Sequence, residues 1–298
     1  KHQNDRAIVK NKQGSFMVSG RMIRMRINNN ISAMNSYRNL VSTNESMSKI
    51  MEKLSSGERI NRAGDDAAGL AISEKMRGQI KGLSMATKNA QDGISMIQTA
   101  EGALNESHAI IQRMRELAVQ AANDTNTTED RQKLQLEIGE LIAELHRIAS
   151  TTEFNTRTIL TGEYSKDSLK FHVGANKDQS IELTFSDMKP RALGIGKIDL
   201  TSQGKANEAI QTITGALEQV STERARYGAV QNRLEHTINN LRVAGENLSA
   251  AESRIRDTDM ASEVVRLNKT RIISEAGTAM LAQANAGPNA ILQLLKMS

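Results

Sequence analysis

Residues 76–111 read MRGQIKGLSMATKNAQDGISMIQTAEGALNESHAII, and this stretch decides the fold. Met76, Leu83, Ala90, Ile97, Leu104 and Ile111 fall seven residues apart, and Ile80, Ile94 and Met114 widen the row into an apolar stripe. A seven-residue repeat keeps one stripe turned toward a partner helix as the two wind round each other. A matching ladder stands near the other end of the chain: Val220, Tyr227, Leu234, Leu241, Leu248 and Ile255, flanked by Val230, Ile238, Ala244 and Ala251. Each ladder spans 36 residues, roughly 54 Å of helix at the usual rise per residue. Their equal length predicts that they pack on one another, so that the N- and C-terminal halves together build a long antiparallel coiled-coil rod.

Composition agrees with helix-on-helix packing. Aromatic residues make up 2% of the chain, Trp is absent, and the only prolines are Pro190 and Pro288. Sheet-rich cores and small-molecule pockets lean on aromatic bulk that this chain lacks. The absence of Cys excludes disulfides, thiolate nucleophiles and cysteine metal sites. The formal charge of +5 is local: Lys1, Arg6, Lys10, Lys12, Arg21 and Arg24 stand against Asp5 alone, and residues 25–298 are formally neutral. We read residues 1–24 as a disordered basic appendage, or as sequence upstream of a true start at Met25. The appendage lacks the dense basic run and interleaved aromatics of a nucleic-acid arm. No apolar run reaches the 18 or so residues of a membrane span. The short pieces Ala7-Ile8-Val9 and Phe16-Met17-Val18 make no secretory h-region. We therefore expect neither nucleic acid binding nor membrane insertion.

Between these markers the chain divides further. Ile27, Ile31, Met34, Tyr37, Val41, Met47, Met51 and Leu54 predict a first helix from Met25, broken at Ser55-Ser56-Gly57 and again at Ala63-Gly64-Asp65-Asp66. Asp65 and Asp66 suit the cap and first turn of the next helix, where carboxylates meet free backbone N–H groups. That role outweighs cation binding, because Ala67-Ala68-Gly69 supplies no further ligand. Thr127 followed by Asp130 has capping-box spacing. The helix it opens carries Leu134, Leu141 and Ile148 with Ile138 and Leu145 beside them, and would return along the first rod. From Phe154 to Met188 the period falls to two: Leu169, Phe171 and Val173, then Ile181, Leu183 and Phe185, predict a β-hairpin over about 168–186. Thr201 or Ser202 caps the second ladder. The terminal segments are rich in Ala, Asn and Ser and end on Ile291, Leu292, Leu294 and Leu295. Such segments bury too little in a lone chain to offset their ordering entropy, and the apolar quartet is an unmet packing demand.

No catalytic, cofactor or metal site emerges. His2, His108, His146, His172 and His236 are scattered among separate elements. There is no His-Glu-x-x-His helix and no Gly-x-Ser-x-Gly elbow. Gly194-Ile195-Gly196-Lys197 lacks the full phosphate-loop spacing and reads as a plain loop.

Several blocks, in order, resemble bacterial flagellin. They are Leu54–Gly69 (LSSGERINRAGDDAAG), Asp92–Ser95 (DGIS), Thr99–Leu104 (TAEGAL), Gln112–Gln120 (QRMRELAVQ), Gly228–Leu234 (GAVQNRL) and Ala251–Asp257 (AESRIRD). The likeness covers Met25–Ser298; residues 1–24 have no counterpart, and Glu58 stands where the family is often apolar. The resemblance implies a mainly α fold in which the chain ends pair as an inner coiled coil, residues 25–56 with 260–298. A connector follows over 57–64, then a rod of 65–201 with 202–259 that carries the hairpin. There is no large variable outer domain, so this is a short form. It implies a non-enzymatic homopolymer, the flagellar filament of swimming bacteria, exported unfolded through the type III apparatus without signal cleavage and ending outside the cell. Inner-tube packing would fall on Ile27, Ile31, Met34, Ile272, Leu281, Leu292, Leu294 and Leu295. Implied partners are other subunits, an export chaperone at the C-terminal helix, and the filament cap and hook-junction proteins. The flagellin-sensing Toll-like receptor of hosts would be met by Arg113, Leu117 and Glu137. The alternatives are a hook–filament junction protein and a soluble coiled-coil signalling adaptor.

Overall fold

The computed structural model describes residues 16–18, 21–23, 29–165 and 167–296, with side chains from 29 to 287 except 166. Most of the basic extension and Ile27 therefore lie outside the described residues. Within the extension, strands β1 (Phe16–Val18) and β2 (Arg21–Ile23) pair antiparallel. The chain forms two compact units, one of residues 1–70 with 254–298 and one of residues 71–253.

In the first unit, α1 (Ile31–Ser56) runs antiparallel to α5 (Met260–Lys296). The direction follows from two cross-links, Asn30 to Ala284 and Ser274 to Asn44. The expected start at Met25 lies outside the described residues; α1 begins at Ile31, because the Asn30 side-chain oxygen accepts from the Ala33 N–H and caps the helix there. At its other end Gly57 takes a left-handed φ of 73° and donates its N–H to Lys53 O, a conformation that suits glycine.

The second unit holds most of α2 (Ala67–Ala121), all of α3 (Thr128–Thr151) and most of α4 (Gln203–Arg256). Two ion pairs, Arg77–Glu252 at 2.8 Å and Glu101–Arg224 at 3.9 Å, set α2 and α4 antiparallel. Ladder positions in the middle, among them Ala90, Ile97, Leu104, Ile111, Val220, Tyr227 and Leu234, are buried. Met76, Leu83 and Leu248 toward the ladder ends are half-buried. The return helix α3 is opened by the expected capping box of Thr127 and Asp130. Its buried line is Ile138, Leu145 and Ala149, while Leu134, Leu141 and Ile148 flank it half-buried.

Strands β5 (Leu169–His172) and β6 (Ser180–Leu183) form the predicted hairpin, with Leu169 opposite Leu183 and Phe171 opposite Ile181. Its other face carries the Lys170–Glu182 ion pair at 2.9 Å. The hairpin lies on α2 at two glycines. A Cβ on Gly82 would stand 2.9 Å from Ala175 Cβ, and one on Gly93 would stand 3.1 Å from Phe171 Cδ1. A smaller hairpin of β3 (Glu153–Phe154) and β4 (Arg157–Thr158) precedes it. The stretch from Met188 to Leu200, which includes the Gly194–Lys197 loop, closes the core with Leu193, Ile195 and Leu200. Gln135 of α3 holds it by donating to Ile198 O and accepting from Leu200 N–H. Ser202 caps α4 through its hydroxyl, which accepts from Lys205 N–H.

Candidate assembly surfaces

The seam between α1 and α5 mixes small and large residues at alternating three- and four-residue steps. Ala33, Ser36, Leu40, Thr43, Met47, Ile50 and Leu54 line it on α1; Leu267, Thr270, Ser274, Gly277, Leu281 and Ala284 line it on α5. Two helices alone can cover only one face of each other, and no residue of α1 is buried. Polar contacts fix the register: Asn30 Nδ2 donates to Ala284 O at 2.7 Å and Ser274 Oγ to Asn44 Oδ1 at 3.0 Å. Gly277 faces Leu40, where an added Cβ would stand 3.4 Å from Leu40 Cδ1.

The rest of both helices is unexpectedly apolar for an uncovered surface. Ile31, Met34, Tyr37 and Met51 of α1 are exposed, as are Val265, Ile272, Ile273 and Met280 of α5. Met34 is 60% and Ile272 65% accessible. Of the predicted inner-packing residues, Leu281 sits half-buried in the seam, and Ile31, Met34 and Ile272 point to solvent. Ile27, and the side chains of Leu292, Leu294 and Leu295, lie outside the described residues.

The connector after α1 is tied to the turn that leads into α5. Arg59 N–H donates to Arg256 O, Thr258 N–H donates to Gly57 O at 3.0 Å, and the Arg59 guanidinium donates to Ile255 O. Glu58, the departure from the apolar pattern, accepts from Arg256 Nε at 3.0 Å. Ile60 is fully enclosed. The two aspartates divide their work. Asp66 caps α2 by accepting from Gly69 N–H at 2.8 Å, whereas Asp65 accepts from the N–H groups of Asn61 and Arg62 inside the connector. Those two bonds, from Arg62 and then Asn61, hold the Asp65 carboxyl below the usual carboxylate range. This corrects the assignment of both to the helix start. An open cleft of about 620 Å³ beside the connector is lined by Lys49, Lys53, Arg59 and Arg266 against Asp65, Asp66, Asp259 and Glu263, a set with no net charge. Among the described residues no cluster of three acidic or histidine side chains could hold a metal ion, and no helix is long and apolar enough to cross a membrane.

In the second unit Arg113 and Glu137 do come together. Arg113 Nε and Nη2 both donate to Glu137 Oε1, at 3.1 and 2.9 Å, and Nη1 donates to Glu116 Oε2 at 3.1 Å. Hydrogen bonding to Glu137, then to Glu116, pushes the guanidinium pKa up. The third residue of that predicted set, Leu117, does not join them. It is 1% accessible and packs in the helical core beneath the surface that carries Arg113 and Glu137.

Comparison with known proteins supplies the context for these surfaces. Residues 27–165 match the bacterial flagellin N-terminal helical region and residues 210–295 the bacterial flagellin C-terminal helical region. The flagellins of Bacillus subtilis (strain 168) and Halalkalibacterium halodurans are each 53% identical, over 91% of this chain and all of their own length. The flagellar filament 33 kDa core protein of Treponema phagedenis is 50% identical with the same coverage. Among solved structures, a putative flagellar hook-associated protein from Vibrio parahaemolyticus matches 65% of this chain and all of its own, with a TM-score of 0.55 at 11% identity, a likeness of fold alone.

Proposed function

The chain belongs to the bacterial flagellin family and is a structural subunit of the flagellar filament; from that premise we propose that it polymerises through the apolar faces that α1 and α5 leave open. One observation carries the reading: an antiparallel helix pair with no buried residue on α1 exposes Ile31, Met34, Ile272 and their apolar neighbours. Moving one such side chain from water into a contact contributes roughly 1.5–3 kcal/mol, and each added copy repeats the gain. Large exposed apolar side chains gathered on one helix pair point to an interaction site. The family resemblance adds Ile27, Leu292, Leu294 and Leu295 to the residues that pack between copies. The work is mechanical and involves no turnover of a substrate.

The subunit acts outside the cell, exported by the flagellar type III apparatus. Before export the apolar end of α5, Ile291 to Leu295, is held by a chaperone. At the filament ends the same helices meet the cap and hook-junction proteins. A host Toll-like receptor meets the half-exposed Arg113–Glu137 pair, with Leu117 supporting that surface from below. A hook–filament junction role is disfavoured by half-identity to filament proteins along nearly the whole chain against a fold-only likeness to a hook-associated protein. A discrete coiled-coil adaptor would not need the open apolar faces.

Negative-stain electron microscopy of the purified chain offered short filament seeds tests the assembly reading. Long uniform filaments are the expected outcome. Small discrete oligomers at every concentration, with seeds that do not lengthen, would overturn it.

A further inference from the structure

We propose that Met34, Met51, Met260 and Met280 form an oxidation site whose conversion to sulfoxide stops a free subunit from joining a filament. The proposal rests on the reading of the α1–α5 faces as the surface between copies. Exposed methionines concentrate on the α1–α5 faces, although Met85 of the second unit is exposed as well. In the second unit Met96, Met114 and Met188 are buried; in the first, these four are exposed, Met280 to 65%. Met34 and Met51 lie on α1 and Met260 and Met280 on α5, each outside the half-buried seam. A flexible thioether suits a surface that must repack against a neighbour. The same solvent access leaves its sulfur open to oxidant.

The reaction needs only a peroxide. The sulfur lone pair attacks one peroxide oxygen, the O–O bond breaks, an S–O bond forms, and the departing hydroxide takes up a proton to leave as water. Sulfur loses two electrons and the peroxide gains them. The product replaces an apolar side chain with a polar, chiral one. A sulfoxide oxygen pressed into a contact without a donor loses its water uncompensated, so oxidation opposes the burial that drives assembly. Once a subunit is in place its neighbours cover the four sulfurs. The site is open in the free chain and shielded in the polymer, which confines the sensitivity to growth and spares filament already built.

The test treats the full chain with hydrogen peroxide, maps sulfoxides by peptide mass spectrometry, and follows the lengthening of seeds. In the free chain the four methionines, with the exposed Met85 of α2, should oxidise at least about tenfold faster than Met96, Met114 and Met188. Equal rates would overturn the site whether or not filaments form. Oxidised chain should need about a tenfold or greater concentration to lengthen seeds, and methionine sulfoxide reductase should restore growth. A variant with all four changed to Leu, a volume-conserving swap, should lengthen seeds in peroxide, whereas Met85→Leu should not be protected. Undiminished growth of chain carrying sulfoxide at all four positions would overturn the proposal. Failure of untreated chain to lengthen seeds would sink the assembly reading, and with it the consequence drawn for oxidation. If the fourfold Leu variant does not assemble even without peroxide, recovery by the reductase alone decides.

Discussion

At the scale of single residues, space rather than composition sets what each position tolerates. Gly78 and Gly82 are both helical glycines one turn apart on α2, yet they differ. A Cβ at Gly78 meets nothing within 4 Å, while one at Gly82 would press on Ala175 Cβ and, at 3.2 Å, on its Cα. Gly78→Ala should therefore stabilise the chain by up to about 1 kcal/mol through helix propensity. Gly82→Ala should destabilise it by about 1–3 kcal/mol, because the hairpin loop must shift to make room. Urea unfolding midpoints of the two variants read the difference, and a common sign would contradict the close approach. The same logic separates Leu117 from Arg113. Leu117→Ala empties a fully packed core position and should cost about 2–5 kcal/mol. Arg113→Ala removes an ion pair whose arginine side chain is 51% accessible, and should leave the unfolding midpoint nearly unchanged because solvent screens such a pair. Any loss of receptor response in Leu117→Ala must be compared with its thermal unfolding, whereas Arg113→Ala and Glu137→Ala probe the surface with the fold intact. Both residues stand in one recognisable block of sequence. What sequence did not disclose is which of them faces inward, since that depends on where α3 crosses α2.

At the scale of elements, the parts with a period or a cap were legible and the parts built on irregular turns were not. The capping box at Thr127 and Asp130 was readable from spacing alone. Its electrostatics are specific: the Thr127 hydroxyl first, then the Thr127 N–H, holds the Asp130 carboxyl below its ordinary value. A lowered carboxyl pKa adds stability that is complete above the unfolded value of about 3.9 and disappears as pH falls through the folded one. The Asp130 carboxyl should thus titrate below an ordinary aspartate by NMR, and Thr127→Ala should raise its midpoint. An unchanged midpoint would mean that the cap does not set it. The larger hairpin was legible because Leu169, Phe171, Ile181 and Leu183 alternate cleanly. The smaller one was not, because its two-residue strands turn on Asn155 and Thr156, both at positive φ, without the glycine that usually announces such a turn. The cap of α1 was not legible for a related reason: apolar residues continue upstream of Asn30, and only the side-chain bond to Ala33 N–H marks the start at Ile31.

At the scale of the whole molecule, heptad spacing disclosed the long helices, but the boundary between units depends on contacts distant in sequence. The resemblance implied a connector of its own over 57–64. The bonds from Gly57, Glu58 and Arg59 to residues 255–258 tie that stretch to the end of α4 and the turn before α5, within one unit. That unit also shows a mismatch between what its sequence offers for burial and what a single chain can bury. The seam uses Ala, Ser, Thr and Gly as well as large residues, and much of the apolar bulk, Ile272 included, lies outside it. Were that bulk present to stabilise the subunit, replacing it would weaken the fold; if it serves assembly, the fold should be indifferent. Ile272→Ser decides between these. An exposed substitution should change unfolding free energy by no more than about 0.5 kcal/mol. Loss of roughly 1.5–3 kcal/mol of interface burial should raise the concentration needed to lengthen seeds by about ten- to a hundredfold. Unfolding and seed growth measured on the same preparation make the comparison direct. A variant that lengthens seeds as well as the parent would remove Ile272 from the contact between copies, and one that unfolds readily would return it to the subunit's own core.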